Sequence, residues 1–347
     1  LLMILLQLLF LIAFLFPFIP GVFSTDIQPF FIIIGGICAL ISTVRSILIF
    51  PSILLVVYSI LFSDQLTLKV LASVVGYIVA FEVCRKIPIS LVRSVLWVYF
   101  LVSLVGAVIH YFNSDAWGTI RELLSLRNAN YEYYAQFAPE PSMYYIQMVL
   151  IYLVLAWFDL KFTKLLYFVV SVVTVAIGSD ISLIILFMPV LLEVFLYFMS
   201  KDRLLMWMNN GSILIIMLYG VFFTFFPDYF MLFLEYFHRS EQVRLYDIGQ
   251  VYHAVKGNPF GLSDYSELIL KFSLDHPGRF KDNDYGSTSA LSNIIYSIGL
   301  FGYLLLLWII KYYFKYVGIF TLVIISTIGL SWFPLSLMVC KGSDKNA

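Results

Sequence analysis

The sequence predicts an all-α integral membrane protein with about eleven (ten to twelve) transmembrane helices and two ordered extracytoplasmic loops. Three observations predict it. The chain of 347 residues is 62% hydrophobic and only 12% charged, against about 25% charged in an ordinary soluble domain. Apolar runs close to the ~20 residues needed to cross a hydrocarbon core of roughly 30 Å recur along the whole length. Lys and Arg concentrate in alternate short loops, as orientation in a bilayer requires.

The apolar runs fall at roughly 3–23, 28–44, 46–62, 66–84, 90–110, 142–158, 162–178, 181–199, 211–227, 287–310 and 317–339. Helices are expected because lipid satisfies no backbone hydrogen bond. No run alternates as a barrel strand would. The first run resembles a signal-peptide core, but further spans follow without a clear cleavage site, so it is read as a span. The second and third runs join tightly around Arg45, and the seventh and eighth around Gly178–Ser182.

Basic residues sit at Arg45, at Arg85, Lys86 and Arg93, at Lys161 and Lys164, at Lys201 and Arg203, and at Lys311 and Lys315. The intervening short loops carry almost none. This alternation predicts a cytoplasmic N-terminus. Lys341 and Lys345 break it, which makes the last span the least constrained.

Two connections, 111–141 and 228–286, are long and hold half of the charged residues. The predicted orientation puts both outside. They contain Tyr, Phe, Leu and Pro rather than low-complexity sequence, so order is expected. Zero net charge argues against a nucleic-acid partner. Cys38, Cys84 and Cys340 are far apart and no His/Cys cluster exists, so neither a metal nor a disulfide framework is expected. Walker, GxSxG and HExxH patterns are absent, and no cofactor is implied. No internal repeat or midplane charge of the transporter type is evident.

Three clusters carry candidate chemistry. Arg121 and Arg127 precede Tyr131–Ser142, where Pro139 and Pro141 restrict the backbone on both sides of Glu140. Glu140 is either punctuation favouring a helix start or a carboxylate that binds or activates a sugar hydroxyl. Tyr134 and its neighbours either anchor at the interface or stack on sugar rings. In the second long loop, His238 to Arg244 is a charged run that includes Arg239. It leads into an amphipathic stretch with His253, closed by the turn signal Lys256–Gly261. Arginine's planar fork suits pyrophosphate, although a solvated loop helix carries the same pattern. Beyond Tyr285, Gly286–Asn293 opens the tenth span with small polar residues, and Gly299 and Gly302 read as close helix packing.

Together these features resemble the O-antigen polymerase and O-antigen ligase superfamily of bacterial surface-polysaccharide proteins. The resemblance rests on Phe137–Ser142 opening a span, on Arg244 followed about fifteen residues later by Pro259-Phe260-Gly261, and on the polar-to-Gly299 helix after that loop. It covers about Arg121 to Tyr303; the first hundred residues match only as apolar spans. It implies a GT-C-like helical architecture in the bacterial inner membrane, with a metal-independent glycosyl-transfer site on the periplasmic side. The implied donor and acceptor are undecaprenyl-pyrophosphate-linked oligosaccharides, with a chain-length regulator as a further partner. Arg244 matches the family's loop arginine and Glu140 its Pro-Ser-flanked acidic position. With His253 in reserve, these are the expected catalytic residues. Arg239, Arg127, Arg121, Tyr134 and Tyr285 are the expected substrate-binding ones. The ligase branch carries a His where this chain has Ser287-Thr288-Ser289, and that departure favours a polymerase. A flippase of the same lipid-linked sugar is the alternative from a different class.

Overall fold

The computed structural model describes residues 2–15, 37, 83–123, 133–136, 141–178, 180–234, 259–260, 290–313 and 315–326. Every regular element among them is helical. In chain order these are α1 (Leu2–Leu15), α2 (Ile89–Phe112), α3 (Ser114–Leu123), α4 (Pro141–Trp157), α5 (Lys161–Ala176), a 3-10 turn (Asp180–Leu183), α6 (Ile184–Phe198), α7 (Lys201–Phe225), α8 (Pro227–Leu234), α9 (Ala290–Tyr313) and α10 (Val317–Ser326). The runs expected at 28–44, 46–62 and 66–84 lie almost wholly outside the described residues.

Boundaries follow local chemistry. Pro88 starts α2, and its carbonyl accepts from the Leu91 and Val92 N–H groups at 3.0 and 3.2 Å. Asn113 separates α2 from α3, and its side-chain oxygen caps the Ala116 N–H at 3.0 Å. Pro141 occupies the first position of α4, where its missing N–H costs nothing. α2 and α7, of 24 and 25 residues, are long and apolar enough to cross a membrane.

The ninth expected span, 211–227, is the one that differs most. α7 begins ten residues earlier, at Lys201, and runs through Asn209 and Asn210. The reason is tertiary. The Asn209 side-chain oxygen accepts the Gly318 N–H at 2.8 Å and so caps the first turn of α10. Of the polar pair that breaks the hydropathy pattern, Asn209 is thus engaged by another helix, and its Nδ2 donates to Asn210 Oδ1 at 3.3 Å.

On two helices apolar side chains are exposed while polar ones join apolar ones on the buried face. On α5, Thr163, Tyr167, Ser171 and Thr174 are buried at helical spacing, whereas Phe162 and Leu165 are 82% and 64% exposed, with Val169 and Val172 on the same side. On α2, Tyr99, Ser103 and His110 face inward and Val98, Leu101, Val105 and Val108 face outward. A water-soluble helix has the opposite polarity.

The described helices sort into two compact units, divided within α7 after Leu204. In the first unit, ring and hydroxyl contacts fix the helix directions. Ser103 of α2, Tyr144 of α4 and Thr174 of α5 meet at one level. Phe100, Tyr152 and Tyr167 meet at the next, with ring centroids 5.8 Å (Phe100–Tyr167) and 4.8 Å (Tyr152–Tyr167) apart. α2 and α5 therefore run in parallel, with α4 antiparallel to both. α6 also opposes α5, since Tyr167 reaches Ile185 while Lys164 reaches Glu193. The starts of α2 and α5 and the ends of α4 and α6 thus share one end, where Lys164 pairs with Glu193 at 2.7 Å. Lys201 donates there to the last carbonyl of α4, at Trp157, at 2.8 Å.

One hydrogen bond in this unit repairs a defect. Pro189 lies inside α6 and has no N–H to give the Ile185 carbonyl four residues back. The Tyr167 hydroxyl supplies the missing donor at 2.9 Å.

In the second unit, Pro227 starts α8, which folds Phe230 against Tyr219, Phe222 and Phe223 of α7. α9 and α10 are joined by a hydrogen bond between the Tyr303 and Thr321 hydroxyls at 2.7 Å. α9 is interrupted at Gly299.

Candidate functional site

A polar cluster fills the end of the first unit opposite Lys164 and Glu193. Tyr99, Ser103, Gly106 and His110 lie along the buried face of α2. α3 doubles back and buries Trp117, Gly118 and Arg121 at helical spacing. Between α2 and α4 sits the short non-helical segment 133–136, with Tyr134, Ala135 and Gln136 buried. Gly106 permits the approach: a β-carbon there would lie 2.5 Å from Trp117 Cη2 and 2.6 Å from the Tyr134 hydroxyl.

Irregular backbone packed this deeply must be satisfied by protein groups. Arg121 Nη1 donates to the Gln136 carbonyl at 2.8 Å. The Tyr145 hydroxyl donates to the Tyr134 carbonyl at 3.2 Å, and Gln136 Nε2 donates to the Tyr99 carbonyl at 3.3 Å. Tyr134 in turn donates its hydroxyl to the Ser103 carbonyl at 2.7 Å. Gln136 has φ of 46°, the left-handed region that a non-glycine residue rarely adopts. Its two hydrogen bonds hold it there, as a strained residue requires.

Aromatic rings close around Tyr134. His110, Trp117 and Tyr144 have ring centroids 5.8, 5.7 and 5.5 Å away. Burial, reinforced by nearby Tyr144, holds the Tyr134 phenol well above its usual pKa near 10, against smaller opposing effects of Ser103 and Arg121. Tyr134 is therefore a neutral hydrogen-bond donor at physiological pH.

Of the residues expected to form the site, the structure brings Arg121 and Tyr134 together in this cluster. They are 1% and 0% exposed and engage protein partners. In this arrangement both act on the segment that leads directly into Phe137–Ser142. Arg244, Glu140, His253, Arg239, Arg127 and Tyr285 lie outside the described residues.

Sequence reasoning included Gln136 within Tyr131–Ser142 but missed Ser103, Trp117, Tyr145 and Thr174 as members of the cluster. The recurrence of Thr163, Tyr167, Ser171 and Thr174 at helical spacing was the available signal, averaged away in a hydropathy window. Nothing local shows that 133–136 folds inward.

The second unit holds a separate feature. Gly299 has φ 68° and ψ −178°, a combination open essentially to glycine alone. This conformation turns the next peptide out of the helical ladder. The Leu300 and Phe301 N–H groups then donate to the Pro259 carbonyl at 2.8 and 3.4 Å. Phe260 stacks on Phe301, with ring centroids 5.0 Å apart and planes at 29°. Gly299 is thus required by backbone conformation, where its sequence context suggested helix packing. Among the described residues no group of three or more His, Cys, Asp or Glu is placed to hold a metal ion.

No family model, no curated protein and no solved structure matches this chain.

Proposed function

We propose that the protein is a polytopic glycosyltransferase of the bacterial inner membrane. It polymerises undecaprenyl-pyrophosphate-linked oligosaccharide repeat units into O-antigen or capsular polysaccharide on the periplasmic side. One observation carries the membrane part of this reading: α2 and α5 bury hydroxyl groups and expose aliphatic and aromatic side chains. That polarity is stable in lipid and costly in water. Placing the Lys161, Lys164 and Lys201 end in the cytoplasm follows from the rule that positive loops stay inside. The opposite end, with α3 and 133–136, then faces the periplasm.

In the proposed reaction an acceptor sugar hydroxyl attacks the anomeric carbon of the donor glycan. The new glycosidic C–O bond forms as the bond to pyrophosphate breaks, with inversion. Undecaprenyl pyrophosphate departs with the bonding electron pair. Charge grows on the leaving group, so a fixed cation there lowers the barrier. Arg244 is assigned that role, helped by Arg239 and Arg127. The hydroxyl proton passes to a carboxylate, assigned to Glu140, with His253 in reserve. Two opposite charges are needed in two places, because a carboxylate beside the pyrophosphate repels it. Lipid-linked donor and acceptor are concentrated in one membrane plane, and a chain-length regulator protein is the proposed partner.

The test is Arg244→Ala in cells that make the polysaccharide. The expected result is loss of long glycans with normal membrane insertion and poor rescue by Arg244→Lys, whose ammonium lacks the paired donors. Normal chain length in Arg244→Ala cells refutes the assignment.

A further inference from the structure

The turn at Pro259–Phe260 and the break in α9 fit each other in three ways. A helix that restarts at Leu300 has N–H groups with no partner in its own ladder. The Pro259 carbonyl takes two of them. A peptide carbonyl is an apt acceptor there, because the start of a helix attracts negative charge. Phe260 then covers Phe301, one turn face being stacked on the other. Phe301 is 48% exposed and Phe260 41% exposed, so the stacked pair lies at the surface of the described residues and not within a core. The break itself depends on a residue without a side chain, since φ 68° with ψ −178° excludes a β-carbon.

Apolar helices tolerate such breaks where protein groups or a cavity satisfy the released peptides, and broken helices recur where ligands are handled. Here the satisfying group comes from a segment far away in the sequence, within the long connection that carries Arg244. Long connections act precisely placed only when a rigid element seats them.

We propose that Pro259, Phe260 and the Gly299 break form a seat that fixes this long connection on α9, with Phe260 and Gly299 as positioning residues for its transfer chemistry. The positioning role rests on the glycosyl-transfer reading above. The seat itself does not.

Two measurements on the full-length protein in nanodiscs test it. In the first, Cys38, Cys84 and Cys340 are replaced by Ser, and Phe260→Cys is combined with Phe301→Cys. A short bis-methanethiosulfonate crosslinker, which forms a disulfide with each cysteine as methanesulfinate leaves, should join the two positions within the monomer, and hydrogen exchange should find the Leu300 amide protected in wild type and faster in Phe260→Ala. Absence of the crosslink, or a Leu300 amide indifferent to Phe260→Ala, overturns the seat.

The second is turnover of lipid-linked repeat units. Misplacement of a reacting group by about 1 Å can cost on the order of a hundredfold, so Phe260→Ala should lose ten- to a hundredfold in kcat by that estimate. KM should change little, and Phe260→Tyr, which keeps the stacked ring, should restore the rate. Gly299→Ala should behave like Phe260→Ala or fail to accumulate; Phe260→Ala carries the decision. Unchanged kcat in Phe260→Ala, or equal loss in Phe260→Tyr, overturns the positioning role. If wild type does not extend lipid-linked glycans at all, the glycosyl-transfer reading and the positioning role fall together, while crosslinking and exchange still decide the seat.

Discussion

Tyr134 combines three constraints in one side chain: its ring is packed by His110, Trp117 and Tyr144, its hydroxyl donates to Ser103, and its carbonyl accepts from Tyr145. Tyr134→Phe keeps the ring and removes one buried hydrogen bond, so it should lower stability by about 1 kcal/mol at neutral pH. The pH dependence has a definite sign. Burial raises the folded-state pKa of this phenol above the unfolded value near 10. Its contribution is therefore complete below pH ~10 and is lost as pH rises beyond that toward the folded value. Thermal melts in detergent should show wild type losing stability above pH ~10 more steeply than Tyr134→Phe; parallel pH curves would contradict the assignment. Arg121 and Tyr134 stood out in the sequence because a charge and a tyrosine cluster between apolar runs are conspicuous. Their partners on α2 and α4 did not. Gln136 Nε2 reaches Tyr99, 37 residues away, and no local pattern encodes a contact of that range.

The pairing of α5 with α6 turns on Tyr167 and Pro189. A proline in a helix leaves one carbonyl without its donor, and the Tyr167 hydroxyl meets that carbonyl at Ile185. Tyr167→Phe should therefore destabilise the protein, and do so less when Pro189→Ala restores an N–H to the same carbonyl. The expected coupling is about 1 kcal/mol, measured by a double-mutant cycle on unfolding in mixed micelles. Strict additivity would show that the two residues act apart. At this scale the sequence was legible where apolar runs are uninterrupted: the spans expected at 90–110, 142–158 and 162–178 match α2, α4 and α5 within two residues at each end. It was illegible where one helix satisfies another. Asn209 ends a hydropathy window but continues α7 because it caps α10. Gly299 resembles a packing glycine until its dihedral angles show a break.

For the whole chain, the account predicts sidedness. In the first unit the starts of α2 and α5 and the ends of α4 and α6 share one end, with Lys164, Glu193 and Lys201, which agrees with the grouping of basic loops read from the sequence. Single-cysteine labelling of intact cells should modify positions within 111–141 and 228–286 from outside and spare Lys201→Cys; external labelling of Lys201→Cys would invert the topology. Overall helicity was legible because composition and run length determine it. The chemistry was legible only as residue types in an order, since the contacts that would bring Arg244 and Glu140 to one substrate are made by the fold. The most direct measurement is therefore functional. Purified protein in nanodiscs is given undecaprenyl-pyrophosphate-linked repeat units, with chelator present and no other enzyme. The account predicts a ladder of longer glycans still on the lipid, abolished by Arg244→Ala. Repeat units that stay single would contradict it.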